Sequence, residues 1–217
     1  MQECIIYEDD DVIALNKPAG FAVHGGSSIS AGIVEMLREL RSDPKIELAH
    51  RLDRDTSGVL LLCKRRSVLK YVQSAFRERT VKKKYLLIVN GQWAKNTKSV
   101  SLRLHRYTTS WGERRVRVSD EGQTARTDFE IIESASRASL LEASLHTGRT
   151  HQIRVHAQSQ GHSILGDTKY ARETDPQISR LCLHAKRLVV PLDDRRLDLR
   201  APMEASMEAI WQQLLTD

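Results

Sequence analysis

The sequence predicts an α+β fold in a single domain with two lobes. Residues 99–145 have the pattern of consecutive strands, whereas helical and strand-like stretches alternate before and after that segment. Helices segregated from a largely strand-built segment are typical of the α+β class. The 217 residues are enough to bury a sizeable core, and they contain no internal repeat, low-complexity tract or linker.

In the first half, the spacing of apolar residues separates strands from helices. Short apolar runs bounded by turn residues predict strands at 5–7, 12–15, 59–63 and 84–89, and a further extended piece at 21–24. Apolar residues at helical spacing predict helices from about Ser30 to Arg41 and from Ser67 to Arg79. The first helix would bury Ile33, Met36, Leu37 and Leu40, and the second Leu69, Val72 and Phe76.

The second half begins with four predicted strands, at 100–104, 114–118, 124–132 and 139–145. Residues 147–156 open a predicted helix that ends at Gly161. Two further strands, at 188–190 and 197–199, precede a closing helix that Pro202 opens. The buried side of the closing helix is expected to hold Met203, Met207, Ile210, Trp211 and Leu214.

The distribution of charge indicates a polyanionic partner. The net charge is +6, from 34 Lys and Arg against 28 Asp and Glu. Lys82, Lys83 and Lys84 are contiguous, and their like charges repel one another unless an anion neutralises them. A solvated helix face therefore explains them poorly. A nucleic-acid phosphate backbone is the natural partner, and such binding weakens as salt increases. A second basic cluster comprises Arg103, Arg106, Arg114, Arg115 and Arg117.

Several classes of protein are disfavoured by what the sequence lacks. No apolar run approaches the roughly 20 residues that span a bilayer, and the start does not resemble a signal peptide. Three widely spaced cysteines argue against a disulfide framework. His146, His151 and His156, spaced by five, do not share one helical face and form a poor metal-ligand set. We therefore predict a cytoplasmic protein without a metal or a membrane anchor.

The most informative stretch runs from His50 to Gly58 and precedes the apolar run 59–63. Read structurally, it is a polar turn in which Asp53 and Asp55 could cap backbone amides. Read chemically, it places two carboxylates and two guanidiniums at the mouth of a buried strand, where loops often carry function. Its His-Arg-Leu-Asp and Thr-Ser-Gly elements resemble the signature of the RNA pseudouridine synthases that act on large-subunit ribosomal RNA.

Further motifs extend this resemblance along nearly the whole chain. They are Asn16–Gly20, Lys83–Tyr85, Thr147–His156, Ile164–Asp167 and Leu181–Ala185. The resemblance implies a pseudouridine synthase fold, in which a mixed, mostly antiparallel sheet lies in two helix-flanked lobes around a central active-site cleft. It also implies isomerisation of uridine to pseudouridine within RNA, without a cofactor because the product retains all the atoms.

The resemblance assigns roles to individual residues. Asp53 would be the nucleophile, Tyr85 would lie against the target base, and Arg154 would pair with the catalytic carboxylate. Asp55 is expected to hold the turn or pair with a nearby arginine. The residues expected to contact RNA are His50, Arg51, Lys82, Lys83, Lys84, Arg149 and His151. Arg51 would occupy the place of the flipped base, although it could equally neutralise Asp53 or Asp55.

Within the family, the residues at 24–27, 54–55 and 91–93 look most like one subgroup, which modifies several uridines of large-subunit ribosomal RNA. Such enzymes usually carry an N-terminal S4-type RNA-binding domain, which this sequence is expected to lack. We expect a monomer whose partner is ribosomal RNA, as a stem-loop or within a ribosome precursor.

Alternatives remain for the role of one residue, Trp111, and for the function of the whole protein. Trp111, at a predicted loop tip among arginines, is either a platform on which RNA stacks or an anchor for its own loop. A non-catalytic RNA-binding or ribosome-assembly module would explain the basic clusters but not the coexistence of Asp53, Tyr85 and Arg154. A glycoside hydrolase using Asp53 and Asp55 is a weaker alternative, because a tight turn does not assure the required separation of the carboxylates.

Overall fold

The computed structural model describes residues 1–25, 31–193 and 195–216. In chain order its elements are β1 (Ile5–Glu8), β2 (Val12–Lys17), α1 (Ile33–Arg41), β3 (Glu47–Leu48), β4 (Ser57–Cys63), α2 (Arg66–Arg77), β5 (Lys82–Asn90), β6 (Ser99–Thr108), β7 (Arg114–Val118), β8 (Gln123–Ser134), β9 (Ala138–Leu145), α3 (Gln152–Ser159), β10 (Leu183–Pro191), β11 (Arg196–Arg200) and α4 (Ala205–Thr216).

The chain divides into two compact units that are discontinuous in sequence. The first unit comprises Met1–Lys83 and His184–Glu204, and the second comprises Lys84–Leu183 and Ala205–Asp217. The boundaries therefore fall within β5 and β10 and just before α4.

The first unit is built on the strand order β1-β2-β4-β10, with β3 paired to β4 and β11 paired to β10. Strands β4 and β10 run parallel, whereas the other pairs are antiparallel. Every residue of β4 is buried, as its continuous apolar run predicts for a central strand. One core cluster of this unit joins residues of β2 and β4 to Leu69 and Val72 of α2.

The second unit contains an antiparallel sheet in the order β5-β9-β8-β6-β7. Hairpins connect β6 to β7 and β8 to β9, and a short turn leads from β7 to β8, which pairs with β6 instead of β7. The connections from β6 to β9 are therefore local turns rather than long crossovers. Leu104, Val116 and Ala125 of its last strands pack with Val155 of α3 in one apolar cluster. Helix α4, in the same unit, buries Met207 and Trp211.

The predicted α+β class, with a mixed and mostly antiparallel sheet, is confirmed. Two details are wrong: Leu40 on α1 is 45% exposed instead of buried, and the closing helix begins at Ala205, so Pro202 and Met203 precede it. Residues 21–24, predicted as an extended piece, lie outside the strands. The short β3 was not predicted, because two residues are too few to give a periodic signal. The predicted helix start at Ser30 and two positions of the subgroup motif, Gly26 and Ser27, lie outside the described residues.

Candidate active site

The turn that precedes β4 carries Asp53 and is anchored in the core by its neighbours. The Thr56 amide donates to the Asp53 carbonyl oxygen at 3.1 Å. Leu52 and Thr56 are buried, whereas Asp53 itself is half-buried. The turn is therefore fixed on both sides of a carboxylate that keeps partial access to solvent.

The charged neighbours of Asp53 lie at the surface. Arg54 donates to the Asp55 carboxylate at 3.1 Å, which confirms the expectation that Asp55 pairs with a nearby arginine. Both side chains are exposed, so this pair contributes little to stability. Arg51 is exposed and forms no ion pair within the described part of the chain, so neutralisation of Asp53 or Asp55 by Arg51 has no support there.

A fully buried lysine ties the Asp53 turn to the turn after β2. The Lys17 ammonium donates to the carbonyl oxygens of Pro18 at 2.8 Å, Phe21 at 2.9 Å and Arg54 at 2.8 Å. The Gly20 amide donates to the same Arg54 oxygen at 3.0 Å. An ammonium is tolerated in a protein interior when acceptors replace its water. Lys17 therefore holds the backbone next to Asp53 in place.

A buried serine–histidine contact fixes the other end of the turn. The Ser57 hydroxyl lies 2.9 Å from His184 Nδ1, and His184 Nε2 lies 3.2 Å from the Ala201 carbonyl oxygen. Because a carbonyl only accepts, Nε2 carries hydrogen in this arrangement, and in a neutral imidazole Nδ1 then accepts from the serine hydroxyl. Both side chains are fully buried, so the contact sits in a low-dielectric interior where an unmade hydrogen bond is costly.

Gly58 permits β4 and β10 to approach each other. Its φ is +108°, and a Cβ at this position would lie 2.3 Å from the Ala185 carbonyl oxygen. Ala185 is the parallel-strand partner of Gly58. The glycine of the Thr-Ser-Gly element is thus required by both backbone conformation and space.

His50, predicted to contact RNA, makes contacts inside the first unit. Its Nε2 accepts a hydrogen bond from the Leu61 amide at 3.1 Å, and its ring stacks on Phe76 with centroids 5.2 Å apart. Burial, and secondarily the charge of Lys83, lowers the pKa of His50 to about 4. The imidazole is therefore neutral at pH 7.

The three contiguous lysines have different surroundings, because side chains alternate along β5. Lys82 is exposed. The Lys83 ammonium lies 6.0 Å from the centroid of Phe76, and burial lowers its pKa. Lys84 pairs with Glu142 of β9. The predicted continuous anion-binding patch is thus distributed among three environments.

Tyr85 follows these lysines on β5 and is half-buried. It lies opposite Ala143 of β9, while Leu87, two residues further along, is fully buried. A tyrosine with an apolar ring in a sheet and partial access to solvent can present its ring to a base.

Arg154, on α3, is held by a buried carboxylate. It donates to Asp167 through Nε at 2.8 Å and through Nη2 at 2.6 Å, and both residues are buried. The amides of Lys169 and Tyr170 also donate to Asp167, at 2.9 and 3.1 Å. This bidentate geometry fixes the plane of the guanidinium.

Tyr170 links Arg154 to His151. The guanidinium carbon lies 5.1 Å from the Tyr170 ring centroid, and the Tyr170 hydroxyl lies 2.7 Å from His151 Nδ1. The same hydroxyl receives the Val116 amide at 2.9 Å. His151 precedes α3 with φ of +51°, a left-handed conformation that is uncommon outside glycine. These contacts hold His151 in that conformation.

The loop before α3 is fixed by buried polar side chains. Gln152 accepts from the Thr147 hydroxyl at 2.6 Å and from the Arg149 amide at 3.0 Å. The Arg149 side chain makes a long contact of 3.4 Å with the Thr124 carbonyl oxygen. The backbone of this predicted RNA-contacting loop is thus well supported.

Within each unit, the structure brings some of the predicted residues together. In the first, His50 and Asp53 lie on one turn, and in the second, Tyr170 joins Arg154 and His151. Sequence reasoning gave no role to the supporting residues Lys17, Ser57, His184, Asp167 and Tyr170. For all of these except Tyr170, the available signal was a position within one of the family-like motifs. Contacts such as Ser57–His184 and Arg154–Asp167 join different motifs, and the sequence alone does not show which motifs meet.

The described residues include no cluster of three His, Cys, Asp or Glu side chains that could hold a metal ion. His146, His151 and His156 contact different groups, namely Asp128, Tyr170 and Thr127.

Burial raises the pKa of Cys63 to about 12 and that of Cys182 to about 11, so neither thiol is poised as a nucleophile. A search of the described helices finds none with the length and apolar character needed to cross a membrane.

Comparison with known proteins agrees with the motifs. Residues 11–159 match the family model described as RNA pseudouridylate synthase. The chain is 46% identical over 219 residues to ribosomal large subunit pseudouridine synthase C of Pasteurella multocida (strain Pm70), covering 97% of this chain and 67% of the relative. It is 45% identical to the protein of that name from Escherichia coli (strain K12), covering 99% of this chain and 70% of the relative.

A solved structure supports the same assignment. Human RNA Pseudouridylate Synthase Domain Containing 4 superimposes with a TM-score of 0.81 and 27% identity, over 98% of this chain and 93% of that protein. The expected pseudouridine synthase fold and the expected subgroup resemblance are confirmed. The chain therefore belongs to the RNA pseudouridylate synthase family.

Proposed function

We propose that this protein isomerises uridine to pseudouridine in large-subunit ribosomal RNA, with Asp53 as the nucleophile. The observation that carries this proposal is the 46% identity, over 97% of the chain, to a relative whose name states that activity. The family match over residues 11–159 includes the positions of Asp53, Tyr85 and Arg154.

The reaction breaks the bond between uracil N1 and ribose C1′, turns the base, and joins C5 to C1′. C5 loses a proton and N1 gains one, so the atoms balance without a co-substrate. A stacked uridine cannot be reached, so the base must first be flipped out at a cost of a few kcal/mol. Loops and bulges of RNA lower that cost.

The proposed roles follow from what each side chain can do. Asp53, when ionised, attacks the ribose or the ring, or promotes elimination of uracil. Arg154 supplies a cation that favours the ionised carboxylate, and Asp167 keeps the plane of that cation fixed. Tyr85 supplies a flat face for the flipped base and a hydroxyl that can move a proton. Arg51, exposed beside Asp53, takes the place that the base leaves.

The decisive experiment compares Asp53→Asn with Asp55→Asn. Asp55 is the matched control, since it is a carboxylate on the same turn that is exposed and paired with Arg54. We expect Asp53→Asn to bind RNA like the parent and form no detectable pseudouridine, whereas Asp55→Asn stays active. Pseudouridine is mapped on large-subunit RNA transcripts, and RNA affinity is measured in parallel.

Two results would oppose this proposal. Activity of Asp53→Asn within about tenfold of the parent would exclude Asp53 as nucleophile, because losing a nucleophile costs far more. A parent that binds RNA but modifies neither transcripts nor ribosome precursors would favour a non-catalytic RNA-binding module.

We further infer that the protein acts as a cytoplasmic monomer. The net charge of +6 fits a polyanionic partner such as RNA, and monomeric behaviour is tested directly. Light scattering after size-exclusion chromatography should give a mass near 24.7 kDa, and a stable dimer would contradict the inference.

A further inference from the structure

The hairpin formed by β6 and β7 presents two different faces. Residues paired across antiparallel strands share a face, so Leu104, Val116 and Val118 lie on one side together with Arg106 and Arg114. Leu104 and Val116 are buried in the apolar cluster with Val155 of α3. The opposite side carries His105, Tyr107, Arg115 and Arg117.

The tip of this hairpin, residues 109–113, is shaped without help from its tryptophan. The Gly112 amide donates to the Thr109 carbonyl oxygen at 3.0 Å, and the Glu113 amide donates to the Thr109 hydroxyl at 3.0 Å. Trp111 is 73% exposed. An indole that anchored its own loop would be buried, so the anchoring alternative does not fit the structure.

The cations of the hairpin are available to an outside anion. Arg106, Arg114 and Arg117 are exposed and have no carboxylate partner among the residues that the structure describes. The local acid, Glu113, is already neutralised by Arg115 at 2.6 Å and Lys169 at 2.9 Å.

One aromatic ring on the hairpin is already combined with a cation. The Arg117 guanidinium lies 5.3 Å from the centroid of Tyr107, within the range of a cation–π contact. Uncompensated cations interleaved with aromatic rings are the combination by which proteins bind single-stranded nucleic acid.

A groove of about 340 Å³ connects the hairpin to the loop before α3. Arg106 lines it from β6, and Arg149 and Thr150 line it from that loop. Glu121 and Gly122, in the turn after β7, complete one wall. The hairpin is therefore continuous with a loop already predicted to contact RNA.

We propose that the tip and exposed arginines of this hairpin bind single-stranded RNA that flanks the target uridine. Trp111 stacks on an unpaired base, while Arg106 and Arg114 from one face of the hairpin and Arg117 from the other contact phosphates. This inference rests on the proposed function, because it assumes that the substrate is RNA. It adds a recognition surface that is separate from Asp53, Tyr85 and Arg154.

The principal test is the affinity of Trp111→Ala for a fluorescently labelled RNA stem-loop with uridines in its loop. Loss of one base–aromatic stack should weaken binding roughly five- to 150-fold. Trp111→Phe should retain most of the affinity, since it keeps an aromatic face. The control is Tyr71→Ala, an exposed aromatic side chain on α2, which should bind like the parent.

Tryptophan fluorescence gives an independent readout of stacking. Trp93 and Trp211 are buried, so quenching by acrylamide reports mainly on Trp111. Bound RNA should protect the parent from acrylamide, whereas Trp111→Phe should show almost no change on binding RNA. Equal accessibility of Trp111 with and without RNA would overturn the stacking contact.

The arginines are tested through salt dependence. Replacing Arg106, Arg114 and Arg117 with glutamine should reduce the slope of log affinity against log salt by about 0.7 for each lost contact with single-stranded RNA. An unchanged slope would overturn the phosphate contacts. With transcripts as substrate, Trp111→Ala should raise KM and leave kcat at saturating RNA near that of the parent.

These outcomes separate the hairpin proposal from the proposed function. If the parent forms pseudouridine and Trp111→Ala binds RNA with parental affinity, the hairpin proposal fails while the enzymatic function stands. If the parent forms none but Trp111→Ala loses RNA affinity, the surface is supported and the isomerase proposal fails.

Discussion

The turn that carries Asp53 and the tip of the β6–β7 hairpin are both short polar loops at strand ends, yet they are held differently. Lys17 and His184 are both distant in sequence, and their buried side chains make hydrogen bonds to the Asp53 turn. The hairpin tip is held by hydrogen bonds between residues three and four apart. Long-range partners thus fix the candidate nucleophile, whereas local contacts suffice to present Trp111.

This difference has a consequence for substitution. The Lys17 ammonium and the Ser57–His184 pair are fully buried, so water cannot readily replace a partner that these side chains lose. At the hairpin tip, solvent can take the place of a removed side chain. The first region should therefore be sensitive to small changes, whereas truncating an exposed side chain of the second, such as Trp111, should affect RNA binding without affecting stability.

The largest expected effect comes from replacing Gly58 in the Asp53 turn, and Gly112 at the hairpin tip serves as its comparison. Gly58→Ala would push a methyl group against the Ala185 carbonyl oxygen, so we expect a loss of more than about 4 kcal/mol or failure to fold. At Gly112, φ is +86° and no atom lies within 4 Å of an added Cβ, so an alanine there would suffer backbone strain but no steric clash. Gly112→Ala should cost about 1–2 kcal/mol.

Urea unfolding followed by circular dichroism measures both variants. Similar losses in the two would contradict the contrast between a packed turn and an open one.

Lys17→Met should have the next largest effect. It removes the donor from three part-buried carbonyl oxygens, and each group left unsatisfied costs up to roughly 1–3 kcal/mol, partly offset by relief of the buried charge. A net loss of about 3 kcal/mol would lower Tm by roughly 6–12 °C. Scanning calorimetry checks this, with the exposed Lys45→Met as matched control. A Tm within about 2 °C of the parent would show that Lys17 is not a support of the turn.

A smaller effect is expected from pH, through His50. Because burial lowers its pKa to about 4, the folded protein keeps His50 neutral while the unfolded chain protonates below about 6.5. The contribution of neutral His50 to the free energy of unfolding is fully present above about pH 6.5. It is lost as pH falls towards 4, by roughly 1.4 kcal/mol per pH unit. Burial lowers the pKa of His156 to about 4 as well, so the parent should lose stability through both groups.

His50→Gln keeps an acceptor for the Leu61 amide and removes one of these two protonations. Its stability should therefore fall less steeply than that of the parent between about pH 6.5 and 5, as measured by urea unfolding at each pH. Parallel pH profiles for the two proteins would mean that His50 is not protected from protonation.

Local signals in the sequence account for what was predicted correctly. The buried run 59–63, the hairpin around Trp111 and the turn at Asp53 each depend on residues close together in the chain. Leu40 was misplaced because helical spacing marks a stripe but not where the core ends. The roles of Lys17, His184 and Asp167 depend on partners from other elements, and one sequence without its fold does not reveal such pairs.

The parallel pairing of β4 with β10 has a consequence for synthesis of the chain. His184 lies 127 residues after Ser57, with β5 through β9 and α3 between them. On the ribosome, a nascent chain that already contains Asp53 still lacks β10, the strand whose His184 contacts the Asp53 turn. Contacts this distant in sequence are costly to close and form slowly. Chains that terminate early thus display the candidate nucleophile without the framework that would make it useful.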